Sequence, residues 1–172
     1  MTTIRRAEAH DAAVLAELAE RTFRDAFGHA NRPDDLDLHC RSSYNAERQS
    51  SEIADPSMTT LVADRDGALV GYGQLRWSTP PAGVIGTRAA EIQRLYVDQR
   101  FHGEGVAQTL IAALQTAAEA GAADVLWLGV WEHNPRAIAF YKKVGFSQVG
   151  EQLFTLGRDP QRDIVLSRAL ER

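Results

Sequence analysis

A glycine-containing loop at residues 102–107 (HGEGVA) has the clearest potential for binding chemistry in this sequence. It follows a β-branched and aromatic run, residues 92–97, which predicts a strand, and it opens an amphipathic helix. Gly103 and Gly105 carry no Cβ, so they leave backbone N–H groups accessible at the start of that helix. Because free N–H groups at a helix start bind anions, this strand–loop–helix unit is suited to hold a phosphate.

The loop alone is weak evidence, since Gly103-Glu104-Gly105 can equally be a tight turn that packs the helix against its strand. It is not a Rossmann fingerprint, because the third glycine and the acidic ribose-binding residue are missing. It is not a Walker A loop, because no Gly-Lys-Ser/Thr follows.

A second segment, Asn134 to Phe146, predicts a short helix with an aromatic pair. Asn134 and Pro135 are typical of an N-cap and a first helical residue, and Gly145 is typical of a left-handed C-terminal cap. Adjacent helical positions point to different faces, so we expect Phe140 in the core while Tyr141 need not be buried. The alternative for Tyr141 is a core aromatic whose hydroxyl is satisfied locally.

Together, in this order and at this separation, the two segments resemble those of the GNAT superfamily of acyl-CoA-dependent N-acyltransferases. That family joins a strand–(Q/R)xxGx(G/A)–helix pyrophosphate cradle to a later N-x-x-A-x-x-F-Y-x-x-x-G-F segment. Residues that match the later segment are Asn134, Ala137, Phe140, Tyr141, Gly145 and Phe146. In the cradle, Gly105 and Ala107 match, whereas His102 replaces the Gln or Arg and lacks the guanidinium fork. A solvated loop residue is the alternative for His102. The resemblance covers roughly residues 2–170.

The resemblance implies an acetyl-CoA site and a role for each part of it. Backbone groups of the segment Leu95-Tyr96-Val97 would pair with the pantetheine arm like an added strand, and the Val97 N–H would stabilise the oxyanion. Tyr141 would protonate the departing thiolate as a general acid. The N–H groups around the pyrophosphate would come from His102, Gly103, Glu104, Gly105, Val106 and Ala107. Asn134 and Ala137 would lie along the pantetheine region, and Lys143 would reach an adenosine phosphate unless it is only a solvated surface charge.

An amine nucleophile must also lose a proton, which costs about 4.6 kcal/mol at pH 7 for a group of pKa ~10.4. Alternation along the strand at residues 89–97 predicts that Glu91, Gln93 and Leu95 share one face. Glu91 is the only carboxylate on that strand, so it is the candidate general base. The alternative is a strand-edge charge in solvent.

The acceptor is predicted from two weaker features. Residues 34–55, which would wall the acceptor site, carry six acids that favour a cationic amine, unless they form an ordinary solvated face. These acids are Asp34, Asp35, Asp37, Glu47, Glu52 and Asp55. The C-terminal half resembles the polyamine (spermidine/spermine) N-acetyltransferase branch through its WLGVWE-x-N strand and a G-x-x-x-Q-x-D segment at Gly157, Gln161 and Asp163. Trp127 and Trp131 would line an acceptor tunnel or, as strand residues often do, pack in the core.

Composition predicts one cytoplasmic domain over residues 1–172. The net charge of -4 argues against nucleic acid as a partner, and no segment has the ~18 apolar residues of a membrane span. Cys40 is the only cysteine, which excludes an internal disulfide and is consistent with a reducing compartment. We expect Cys40 to be a helix-packing residue. The five histidines lack close ligand spacing, so no metal is expected.

The expected fold is α/β (α+β): a GNAT-like mixed, mostly antiparallel twisted sheet of about seven strands flanked by about four helices. Strands are predicted at 2–6, 59–65, 68–77, 89–97, 124–130, 147–155 and 163–168, and helices at about 11–28, 33–54, 105–120 and 134–145.

The favoured function is acetyl transfer to a small cationic amine by direct attack in a ternary complex, because no cysteine lies near the predicted site. The alternatives are acetylation of a protein N-terminus or lysine, and a CoA-binding regulatory module with little turnover. A homodimer through the last two strands is possible.

Overall fold

The computed structural model describes residues 1–171. Its strands are β1 (Thr2–Arg6), β2 (Met58–Arg65), β3 (Ala68–Arg76), β4 (Ala89–Val97), β5 (Val125–Trp131), β6 (Ser147–Leu156) and β7 (Asp159–Ala169). Its helices are α1 (Ala12–Phe27), α2 (Pro33–Ser43), α3 (Ala46–Ala54), α4 (Val106–Ala120) and α5 (Pro135–Lys143).

The strands form one sheet in the order β1-β2-β3-β4-β5-β7-β6. Its only parallel neighbours among the described strands are β4 and β5, joined by the crossover helix α4. This confirms the predicted mixed, mostly antiparallel sheet of seven strands. The described helices number five, whereas four were expected.

The additional helix arises because residues 33–54 form two helices and not the predicted one. The backbone leaves the helical region at Tyr44 and is extended at Asn45. The Asn45 side chain then accepts a hydrogen bond from the Arg48 N–H at 2.8 Å, which caps α3. The polar stretch therefore contains a helix N-cap, Asn45, which the helical spacing of the sequence did not indicate.

β4 and β5 pair over three residues only, from Ala89–Val125 to Glu91–Trp127. Beyond that point β4 keeps its other neighbour, β3, and the Asp98 N–H still donates to the Val70 carbonyl. In an antiparallel ladder successive residues point their N–H and C=O groups to alternate sides. Leu95 and Val97 therefore direct theirs away from β3, toward the side where the β5 ladder has ended.

A β-bulge interrupts β4 at Gln93. Gln74 of β3 pairs with Arg94, and the next residue, Leu75, pairs with Ile92, so Gln93 has no residue opposite. The extra residue reverses the alternation, and the expectation that Glu91 and Leu95 share a face is wrong. Ile92 and Leu95 pack on the α4 side, whereas Tyr96 packs with the core formed by α1 and α2.

Two hydrophobic cores lie on the two sides of the sheet. α4 packs on one face through Leu110 and Leu114, both fully buried. α1 and α2 cover the other face, where Cys40 packs in the core, as predicted. Within the described chain, no helix is long and apolar enough to cross a membrane.

We expect Leu110→Ala to lower the free energy of unfolding by about 2–5 kcal/mol, because Leu110 is completely buried between α4 and the sheet. Val14→Ala on α1 is the control, since Val14 is 51% exposed and its truncation should cost about 0.5 kcal/mol or less. Chemical unfolding followed by circular dichroism measures both. Equal losses for the two variants would contradict the assigned core.

Candidate functional site

Two cavities of about 590 Å³ each open on the two sides of the β4–β5 gap. The first is bordered by the glycine loop and α5, and we call it the loop cavity. The second is bordered by α1, α2, β7 and the residues around Glu91, and we call it the aromatic cavity. Six residues line both: Leu95, Tyr96, Trp131, Asn134, Ala137 and Tyr141. The two cavities therefore meet along one face of α5.

The glycine loop presents free backbone donors to the loop cavity. Gly103 and Gly105 both have φ of +82°, and a Cβ at either would meet no atom within 4 Å. The first helical N–H to reach a carbonyl behind it is that of Thr109, which donates to Gly105. Within residues 1–171, the N–H groups of 103–108 thus have no backbone acceptor. This arrangement at the start of a 15-residue helix fits an anion such as a diphosphate.

Glu104 is the one anionic side chain of this loop, and it is held away from the cavity. Its carboxylate lies 2.7 Å from the guanidinium of Arg65, which also packs over the Phe101 ring. Glu104 therefore contributes its N–H to the loop, while its charge is paired outside the cavity.

His102 is exposed, and its ring also contacts the end of β4. Its Nε2 lies 2.8 Å from the Val97 carbonyl oxygen, across the turn that links β4 to the loop. His102 is thus a solvated loop residue, as the alternative expected, with one backbone partner in addition. The contact links the end of β4 to the loop, and it engages the Val97 carbonyl, which points into the gap.

Asn134 and Gly145 bound α5 as predicted. The Asn134 side chain accepts a hydrogen bond from the Ala137 N–H at 3.2 Å, and Pro135 is the first helical residue. Gly145 has a φ of +99°, the left-handed conformation expected of a C-terminal cap. These caps fix where α5 places its aromatic pair.

Tyr141 is more buried than Phe140, the reverse of the expected order. Tyr141 is only 8% exposed and stacks edge-on with Phe146, whereas Phe140 is half-buried. The phenol has no hydrogen-bond partner among the described residues. Burial raises its pKa well above the ordinary value of a tyrosine, so the hydroxyl keeps its proton.

Not every predicted cofactor residue borders the loop cavity. Lys143 is exposed at the end of α5 and lines neither cavity. Arg136, about two turns earlier, does line the loop cavity, although nothing in its spacing distinguished it from other surface arginines.

Glu91 lies in the aromatic cavity, but its carboxylate already has partners. It forms an ion pair with Arg76 and accepts a hydrogen bond from the Ser78 hydroxyl at 2.7 Å. Glu91 is 6% exposed, so it is not a strand-edge charge in solvent.

The predicted acidic wall is absent from this cavity. Asp35 accepts from the Arg158 N–H, Asp37 pairs with Arg24, and Glu52 lies buried against Arg94. None of the six acids is among the residues that line the aromatic cavity. Aromatic side chains line it instead: Phe23, Phe27, His39, Tyr44, Tyr96, Trp127, Trp131, Tyr141 and Phe154. Both tryptophans are thus at the cavity, and Trp127 also packs in a small core.

Asp163 is a buried residue of the aromatic cavity that had no predicted role of its own. It lies on β7 opposite Trp131, and it is 7% exposed. Desolvation raises the pKa of its carboxyl from 3.8 to about 6. The sequence offered one signal: Asp163 is a single carboxylate directly before the apolar residues 164–166 of β7.

Comparison with known proteins identifies the family. The model described as the acetyltransferase (GNAT) family matches residues 14–146, which include both the glycine loop and α5. The chain belongs to the GNAT family. An uncharacterised N-acetyltransferase of Lactobacillus delbrueckii subsp. lactis is 32% identical over 89% of this chain and 88% of its own length. Another, from Mycobacterium bovis, is 36% identical over 93% of this chain and 98% of its own length.

A solved structure agrees with this GNAT fold. It is the PaiA N-acetyltransferase of Thermoplasma acidophilum in complex with coenzyme A, with a TM-score of 0.81. The two chains are 20% identical, and the alignment covers 99% of each. The chain is therefore an N-acetyltransferase of the GNAT family, and none of these three names states an acceptor.

The pairing of Glu104 with Arg65 makes a prediction for this GNAT protein. Arg65→Gln frees a carboxylate next to the loop, so we expect coenzyme A to bind about three- to ten-fold more weakly, the effect of ~1 kcal/mol of repulsion. Isothermal titration with coenzyme A measures this change, which should shrink in 0.5 M salt.

The double variant Arg65→Gln/Glu104→Gln is the control, and it should bind coenzyme A within about two-fold of the unmodified protein. A double variant as weak as Arg65→Gln alone would mean that Arg65 itself contacts the phosphates.

Proposed function

We propose that this protein transfers the acetyl group of acetyl-CoA to a small primary amine that binds as a cation, such as a polyamine. The observation that carries the proposal is the meeting of the two cavities at Tyr141, because cofactor and acceptor can then approach one atom from opposite sides. Direct attack in a ternary complex follows. Cys40, the chain's only cysteine, is buried in the core of α1 and α2, so no thiol is present for an acyl-enzyme.

The loop cavity would hold acetyl-CoA. The pyrophosphate would lie on the N–H groups of residues 103–107, and the pantetheine arm would pair with backbone groups of Leu95 and Val97. Asn134 and Ala137 border the same path. Arg136 is better placed than Lys143 for an adenosine phosphate, because only Arg136 lines the cavity.

Acetyl-CoA supplies an activated acyl carbon, and the chain supplies an oxyanion donor and a proton. The Val97 N–H points into the gap and would donate to the thioester oxygen as it gains charge. Tyr141 would donate its proton to the sulfur as the C–S bond breaks. Its buried, unpartnered phenol is protonated throughout the physiological range, as a general acid requires.

The aromatic cavity supports a cationic acceptor. Aromatic faces attract an ammonium through their quadrupoles, and the charge of the three arginines that border this cavity is balanced by two buried glutamates and the Asp163 carboxylate. Arg76 is paired with Glu91, while Arg48 and Arg94 are both paired with Glu52. The cavity therefore presents aromatic surface rather than net positive charge to an amine.

Contacts between the β6–β7 hairpin and the α1–α2 region favour a small molecule over a protein substrate. A Cβ on Gly157 would lie 2.6 Å from backbone atoms of Asp35, so glycine permits the hairpin to approach α2. Gln161 donates to Asn31 at 2.6 Å and closes the same side. An open groove for a peptide would require these contacts to separate. Dimerisation and a cytoplasmic location remain predictions.

Thiol release from acetyl-CoA with polyamines, amino acids and peptides tests the function. We expect turnover with polyamines. Turnover with peptides alone would favour a protein acetyltransferase, and coenzyme A binding without turnover of any amine would favour the regulatory module.

We expect Tyr141→Phe to lower kcat about 100-fold while the KM for acetyl-CoA changes less than about three-fold, because only the proton donor is lost. Tyr72→Phe is a matched control, since Tyr72 is also buried but lines neither cavity. Steady-state kinetics with the best amine of the panel measures both. An unchanged kcat in Tyr141→Phe would exclude the phenol as the acid.

A further inference from the structure

Asp163 differs from every other buried acid of residues 1–171. Five acidic side chains are buried in that part of the chain, and four have an arginine within ion-pair distance. Those pairs are Asp11 with Arg5, Glu52 with Arg94, Glu91 with Arg76, and Asp98 with Arg100. Asp163 has neither an ion pair nor a hydrogen-bond donor there, and desolvation is the sole cause of its shifted pKa. An unpartnered buried carboxylate is costly to fold, so a partner from outside the chain is expected.

The surrounding strands direct this carboxylate into the aromatic cavity. Asp163 lies opposite Trp131 on one side and Gln152 on the other. A Cβ on Gly129 would lie 3.0 Å from the Asp163 Oδ2 and 2.3 Å from the Gln152 Nε2. Glycine at 129 therefore provides the space over β5 that the carboxylate occupies. Trp131, its cross-strand neighbour, lines both cavities and so links Asp163 to the place where they meet.

We propose that Asp163, rather than Glu91, binds the acceptor ammonium and takes its proton before attack. This assignment rests on the proposed amine acetylation and makes the acceptor a primary amine that enters the cavity charged. The ammonium would form the charge-assisted hydrogen bond that no side chain of residues 1–171 forms with Asp163. Glu91 could accept a proton only by giving up Arg76 and Ser78.

The proton balance of the step is complete. One ammonium proton moves to the Asp163 carboxylate, and the free amine forms a C–N bond to the acyl carbon. The C–S bond breaks, and the sulfur takes the Tyr141 proton. The nitrogen, now bonded to the acyl group, loses a second proton that restores the phenol through water. Asp163 finally releases its proton to solvent, so the reaction yields the amide, the thiol and one proton.

The histidine and the tyrosines of the cavity do not change charge near pH 6. His39 on α2 is neutral there, because burial lowers its pKa to about 4. The phenols of Tyr44, Tyr96 and Tyr141 have pKa values raised above the ordinary one. The remaining charged groups facing the cavity are Arg48, Arg76, Arg94 and Glu91, and all four are ion-paired. A rate that rises with a midpoint near pH 6 would therefore report Asp163.

The first test is the pH profile of kcat/KM for acetylation of spermidine by the full chain. We expect the unmodified protein to show a rise with its midpoint near pH 6. Asp163→Asn should lose at least about 100-fold and become flat through this range, while Asp163→Glu should recover part of the loss and keep a rise. Glu91→Gln should keep the rise, whatever its effect on rate. Asp34→Asn, a matched change at an exposed residue outside both cavities, should behave like the unmodified protein.

The second test needs no acceptor. A carboxyl whose pKa is raised by folding binds its proton more tightly in the folded state, so its contribution to stability is lost as pH rises from about 4 through 6. Asp163→Asn should therefore melt several degrees higher than the unmodified protein at pH 8 and at a similar temperature at pH 4. Glu91→Gln should melt lower at pH 8, because it leaves Arg76 without its anion.

The outcomes separate this inference from the proposed function. Full activity and an unchanged rise in Asp163→Asn, with a flat profile in Glu91→Gln, would overturn the assignment and make Glu91 the base. A lower melting temperature of Asp163→Asn at pH 8 would show that the carboxylate has a stabilising partner, which also overturns it. If the unmodified protein acetylates only peptides, polyamine acetylation fails while the Asp163 profile can be measured on the peptide amine. If no amine reacts, the assignment falls together with the function.

Discussion

The early end of the β4–β5 ladder is the constraint on which the site depends. A parallel pair joined by a crossover helix normally continues its hydrogen bonds along both strands, but here only three residue pairs form. The backbone groups of Leu95 and the N–H of Val97 then have no strand partner inside the molecule, whereas the Val97 carbonyl contacts His102. Such groups must be satisfied by something, and an extended ligand that enters the gap satisfies them as a strand would. Both cavities exist because the sheet opens at this point.

The electrostatic environment of the aromatic cavity depends on which charged side chains form ion pairs there, and not on the total charge of the chain. Glu52 and Glu91 are buried beside the three arginines around the cavity, and the ionised Asp163 supplies the third negative charge, so the arginines leave no net positive charge there. The surface acids of α2 do not attract one into the site either, because they contact arginines and backbone groups outside it. What remains inside is aromatic surface and one carboxylate without a partner, Asp163. Charge counting along the sequence could not reveal this, since it depends on which side chains meet.

Local rules predicted the parts of the site that local chemistry determines. The Asn134 cap, Pro135 and the left-handed Gly145 each depend on residues within one turn, and all three were predicted correctly. The bulge at Gln93 depends on register against β3, and it reversed the face expected for Leu95. The greater burial of Tyr141 over Phe140 likewise depends on how α5 meets Phe146 and the sheet. Sequence predicts elements and their ends well, but not which neighbour a side chain meets.

Burial raises the pKa of both proposed proton-transfer groups, but the consequence for function differs between them. For the phenol of Tyr141, desolvation moves the pKa further from neutrality, and the phenol keeps its proton until the C–S bond breaks and negative charge develops on a sulfur in the same dry environment. For the carboxyl of Asp163, the same desolvation moves the pKa toward neutrality, and the ionised group becomes a better base. One dry environment can therefore keep the acid protonated and make the carboxylate a stronger base, because the two groups start on opposite sides of pH 7. The aromatic lining thus sets the protonation state of both groups as well as the shape of the cavity.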